Sequence, residues 1–116
     1  MRTKTVSICG KDYTINRAIS VDLALEARGM SFDDVKTKPT TALFVAMLAE
    51  MLKAGYEWEK SNGREANQPP KESELQYMLD ADEMAAMIPA MMEVCVGVRN
   101  VQAKPAKKAK AGDLGA

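Results

Sequence analysis

The side chains of this 116-residue chain that could do chemistry are its carboxylates, two thiols and a C-terminal run of lysines; histidine is absent. Without imidazole there is no His-dependent triad, no His zinc ligand and no ordinary general base near neutral pH. The acids fall in clusters: Asp33-Asp34, Glu57 with Glu59, Glu72 with Glu74, and Asp80 with Asp82 and Glu83. Paired carboxylates are the raw material of acid–base catalysis. The last three clusters, however, lie at or near predicted helix boundaries, where acids serve as caps and complement the helix dipole. Asp80-Ala-Asp82 begins like a calcium loop but lacks the required Gly and distal Glu. The expectation is a protein that is not an enzyme, with no catalytic residue, no cofactor and no metal.

Cys9 and Cys95 stand 86 positions apart, with no CxxC and no second pair for a thiolate metal site. Both are expected to be reduced, buried thiols. Gly10-Lys11 lacks the GxxxxGK[ST] frame of a phosphate loop and reads as a hairpin tip.

Two further groups suit binding rather than catalysis. Residues 104–116 hold Lys104, Lys107, Lys108 and Lys110 against Asp113, a net +3 that leaves −3 on the body. Such a tail can contact phosphates or an acidic surface through charge, or simply solubilise the terminus; with no aromatic residue to stack a base, nucleic acid is not the favoured partner. Five of the nine methionines lie between Met78 and Met92. Thioethers adapt to irregular surfaces, so Met84, Met87, Met91 and Met92 suit either core packing or a partner-binding face.

The elements that must position these groups are legible from periodicity. Val6, Ile8, Tyr13 and Ile15 alternate with polar residues around Gly10-Lys11, which predicts a hairpin with a type II′ turn, Ile8 opposite Tyr13 and Val6 opposite Ile15. A short helix capped by Ser20 is expected to end at Arg28 before Gly29, with Leu23, Ala24 and Ala27 at helical spacing. Ser31 to Val35 reads as a capped turn or one-turn helix tucking Phe32 and Val35 inward. The strongest helix spans Thr41 to about Lys60, with Leu43, Phe44, Met47, Leu48, Met51 and Leu52 on one broad face; Gly55 weakens its later part. Ser61 to Pro70 is a polar, breaker-rich loop, expected to be exposed and mobile.

A further helix opens at Ser73, with Gln76 completing a capping box and Leu75, Met78 and Leu79 inward. Asp80 or Asp82 caps the last one, which runs to about Asn100 with Met84, Met87, Ile88, Met91, Cys95 and Val98 on one stripe and a kink at Pro89. The reading is a single α+β domain over residues 1–101, a hairpin packed on about four helices, followed by a disordered Lys/Ala-rich tail over 102–116. Its longest apolar run, Ala42 to Ala49, is far short of a membrane span and no secretory signal opens the chain. A reducing cytoplasm is the expected compartment, with no membrane partner.

The hairpin TVSICGKDYTI, the short helix ISVDLALEARG and the segment SFDDV, followed by a long helix, a polar loop and a helix pair, resemble the tail assembly chaperones of long-tailed bacteriophages and prophages. Residues 5–35 carry the likeness; residues 41–100 share only the helix layout. The resemblance implies a non-catalytic protein that coats and solubilises the tape measure protein, recruits tail tube protein and is left out of the mature virion. A homo-oligomer is compatible with it. The alternative from another class is a small nucleic-acid or ribonucleoprotein accessory protein that uses the Lys tail.

Overall fold

A computed structural model describes residues 3–103, and side chains as far as residue 95. The elements are β1 (Thr3–Ile8), β2 (Lys11–Asn16), α1 (Ile19–Glu26), α2 (Asp34–Thr37), α3 (Thr41–Ser61), α4 (Glu72–Met78) and α5 (Ala81–Ala103). This is the expected α+β arrangement, a two-stranded antiparallel ribbon among helices. The Lys/Ala-rich tail lies outside the described residues except for its first two positions, which continue α5.

The hairpin turns one residue earlier than the Gly10-Lys11 reading. Ile8 pairs with Lys11 and Val6 with Tyr13, so Cys9 and Gly10 occupy the turn with φ of 52° and 80°. Positive φ at both central residues is the mark of a type I′ turn, whose twist matches the strands. Because the register moves by two residues, Val6, Ile8, Tyr13 and Ile15 still share a face, and all four are buried.

Alternate pairs of an antiparallel ribbon point their N–H and C=O groups outward. A two-residue turn closes on the hydrogen-bonded pair Ile8–Lys11, so the outward groups belong to Asp12, Thr14 and Asn16 on β2 and to Thr3, Thr5 and Ser7 on β1. On the β2 side this edge is covered. The Asp12 carbonyl accepts from the Asn67 side-chain amide at 2.8 Å, and α3 lies against the Thr14 carbonyl at Gly55, where an added Cβ would stand 1.8 Å from the oxygen. Gly55 therefore does more than weaken the helix: its bare Cα lets the helix reach the strand. One turn later, the Thr14 hydroxyl donates to Glu59 at 2.9 Å.

Thr40 caps α3, its hydroxyl accepting from Leu43 N at 3.0 Å. Gly63 closes it, with Gly63 N donating to Lys60 O at 3.1 Å and Arg64 N to Glu59 O at 2.9 Å, the paired bonds of a Schellman motif. Arg64 also pairs with the Glu59 carboxylate. The 62–71 segment is mostly exposed, as expected, and these contacts together with Asn67 attach it to α3 and β2.

Elsewhere the helix starts differ from the sequence reading. Helix α1 begins at Ile19 with Ala18 at the cap and no side-chain bond, so Ser20 is already helical. Its buried pair is Val21 and Leu25, while Leu23 faces out. Its end bears a second Schellman pair, Gly29 N to Glu26 O at 3.0 Å and Met30 N to Leu25 O at 2.9 Å. Helix α4 begins at Glu72; the Glu74 carboxylate accepts from Lys71 N at 2.7 Å, and Ser73 is displaced from the cap. For α5 the capping box is complete: Glu83 N donates to the Asp80 carboxylate at 2.7 Å and Asp80 N to that of Glu83 at 2.9 Å. The helix continues through Pro89, which sits at an exposed position.

The core joins the apolar hairpin face to Leu43, Met47, Leu48, Met51 and Leu52 of α3, Leu75 of α4, and Met84, Met87, Met91, Val94 and Cys95 of α5. Phe32 and Val35 pack at its margin as expected. The Arg17 guanidinium stacks 4.0 Å from the Phe32 ring and grips Asp22 through two bonds of 3.3 and 3.1 Å, fixing α1 against the segment that leads into α2.

Candidate functional site

The methionine stripe is turned inward. Met84, Met87 and Met91 are at most 8% exposed, and Met92 packs partly against the same core. The partner-binding reading is corrected accordingly for Met84, Met87 and Met91 in the folded chain, whereas Met92 is only half-buried: α5 packs on the hairpin's apolar face together with α3, and its thioethers fill the space between strands and helices. Lys104, Lys107, Lys108 and Lys110, assigned to phosphate or acidic-surface contact, lie outside the described residues, as does the side chain of Val98.

The carboxylate clusters are dispersed into local roles. Asp34 accepts from Ser31 N at 3.1 Å, Glu72 holds Arg28 through two bonds of 2.7 and 2.8 Å, and Asp80 and Glu83 form the α5 cap. The Arg28 hydrogen bond is the main cause that holds the Glu72 carboxyl below its usual range. Glu59 is lowered likewise, first by Arg64 and then by the Thr14 hydroxyl. Among the described residues no group of three or more metal-ligating side chains is placed to hold an ion. No helix there is long and apolar enough to cross a membrane.

The two thiols are free of any disulfide. Cys95 is buried as expected, but Cys9 is exposed at the turn apex, where its Sγ lies 3.5 Å from the Met78 carbonyl.

An open cleft of about 730 Å3 lies between the start of α1, the second half of α3 and the approach to α4. It is lined by Ala18, Tyr56, Trp58, Pro69 and Pro70 together with the charged Glu50, Lys53, Glu57 and Lys71. Ser20 also lines it, and Leu23 stands one helical turn beyond on α1. Ile19 and Leu23 are 77% and 60% exposed. Apolar and aromatic side chains with a few charged groups among them are the ordinary make-up of a binding cleft. A second, polar cleft of about 560 Å3 lies over Thr5, Asp12, Thr14 and Glu59.

The sequence reading missed the first cleft altogether. One signal was available: Tyr56 and Trp58 fall among Glu57, Glu59 and Lys60 in the outward-turning end of α3, where the core pattern has already run out. The converging Pro69-Pro70 wall left no such trace.

No family model, no curated protein and no solved structure matches the chain.

Proposed function

We propose that this chain is a tail assembly chaperone of a long-tailed phage or prophage, a non-catalytic protein of the host cytoplasm that binds the tape measure protein, keeps it soluble and helps recruit tail tube protein. The observation that carries the reading is the cleft bordered by Tyr56, Trp58, Pro69 and Pro70, with Ile19 and Leu23 exposed on α1, the helix whose Ser20 lines it. An apolar groove next to exposed residues one helical turn apart suits a client that presents the apolar face of a helix. Docking moves from the methionine stripe to this cleft.

The test is co-expression with the longest coiled-coil-like protein encoded just downstream, followed by pull-down and a solubility assay. The client is expected to become soluble and to co-purify. Leu23→Asp is expected to weaken capture about tenfold or more, as loss of an interface anchor does, at an unchanged melting temperature. A client that neither binds nor gains solubility overturns the reading.

A further inference from the structure

The two edges of the ribbon are unlike. The outward carbonyls of β2 meet Asn67 and α3, whereas no hydrogen bond joins the outward groups of Thr3, Thr5 and Ser7 on β1 to any described residue outside the ribbon. Thr5 and Ser7 are exposed. Proteins usually blunt a free edge with proline, a bulge or a lysine aimed into the approach. The strand TKTVSI has no proline, and its pairing with β2 is continuous from Thr3 to Ile8, without a bulge. Its one charge, Lys4, is bonded to Glu93 of α5 at 3.0 Å on the covered face.

We infer that β1 is a self-pairing edge: two copies of this chain join antiparallel through Thr3 to Ser7, with Thr5 on the two-fold axis, to make one four-stranded sheet. Outward-pointing residues must lie opposite one another for the ladder to form, and centring on Thr5 satisfies this while giving the longest overlap. Thr5 then faces Thr5 of the second copy and Thr3 faces Ser7, hydroxyl pairs that favour antiparallel strands. Lys4 faces Val6 rather than another lysine, and Glu93 of its own chain neutralises it. The occupant is thus a second copy, because the exposed strand is complementary to itself in both backbone and side chain. A two-stranded ribbon is marginal alone, and doubling it supplies the missing neighbours. This inference does not rest on the chaperone reading.

The test uses the full chain. Sedimentation velocity from about 10 μM to about 1 mM, a range suited to a small interface, is expected to show a shift from the 12.7 kDa monomer toward twice that mass. Amide exchange at Thr3, Thr5 and Ser7 is expected to slow over the same range. Thr5→Pro removes an outward N–H while leaving the pairing with β2 intact, and is expected to remain monomeric. Thr5→Lys keeps the backbone but sets like charges directly opposite; it is also expected to be monomeric, and mixing it with Thr5→Asp is expected to restore the dimer. Should Thr5→Pro fail to fold, the Lys and Asp variants decide alone. A monomer throughout, exchange at these amides that ignores concentration, or a dimer indifferent to Thr5→Lys overturns the inference.

Discussion

Gly55 of α3 lies against the Thr14 carbonyl of β2 so closely that a methyl group at position 55 would come within 1.8 Å of the oxygen and 2.4 Å of its carbon. The obstacle is backbone on both sides, so neither partner can swing aside as a flexible side chain would. The contact lets a helix seal the edge of a strand that has no third strand beside it.

Gly55→Ala should therefore destabilise the protein although alanine is the better helix former by about 1 kcal/mol. Overpacking against backbone costs about 2–3 kcal/mol; net of the helix gain, about 1–2 kcal/mol remains, a drop of roughly 5–10 °C in melting temperature for a domain of this size. Thermal and urea unfolding followed by circular dichroism measure it; an unchanged or raised midpoint would show that the helix and strand are not in contact there.

Met91 is fully buried whereas Met92 lies at the core margin. Met91→Ala is expected to cost about 2–5 kcal/mol, the usual range for emptying a core methionine site, and Met92→Ala clearly less. Equal effects in chemical denaturation would contradict the inward orientation of the stripe.

Asp80 accepts the Glu83 amide at the start of α5. Asp80→Ala should cost about 1 kcal/mol, while Asp82→Ala, one position into the helix and outside the reciprocal bonds, should change little. Denaturant midpoints for the two variants separate the roles.

Acid should weaken the fold through Glu59 and Glu72. Both carboxyls are lowered in the folded chain, Glu59 first by its bond to Arg64 and Glu72 first by its bond to Arg28. A lowered folded value means that the stabilisation is present above the ordinary glutamate range and fades as pH falls through the depressed folded values. Urea midpoints between pH 7 and pH 3 should decline, and Glu59→Gln together with Glu72→Gln should flatten that decline. A double variant with the wild-type slope would exclude these pairs as its source.

Cys9 holds φ of 52° at the first central position of the turn, a conformation that asparagine adopts more readily. Cys9→Asn creates the favoured Asn-Gly pair and is expected to raise stability by about 1 kcal/mol. A lower urea midpoint would mean that the thiol's contact with the Met78 carbonyl outweighs turn preference.

The legible and illegible parts of this molecule divide along physical lines. The face shared by Val6, Ile8, Tyr13 and Ile15 survives a misplaced turn, because strand side chains repeat every two residues and the register moved by two. Helix existence was equally clear, since the apolar pattern of α3 and α5 spans many turns. Helix starts were less so: Ser20 and Ser73 have good capping chemistry, yet the chain enters α1 and α4 one or more residues earlier and satisfies their first amides differently. The partner of Gly55 and the wall formed by Pro69-Pro70 are products of distant chain segments meeting, and a local pattern carries no record of them.

The α3 seal on β2 also has a bearing on synthesis. The hairpin is complete at Asn16, but the helix that seals it ends only at Ser61. At about 5–20 residues per second, a ribosome needs roughly 2–9 s to make the intervening stretch. Until α3 is made the ribbon has no seal on its β2 edge, and its apolar face waits longer still, for α5, which begins only at Ala81.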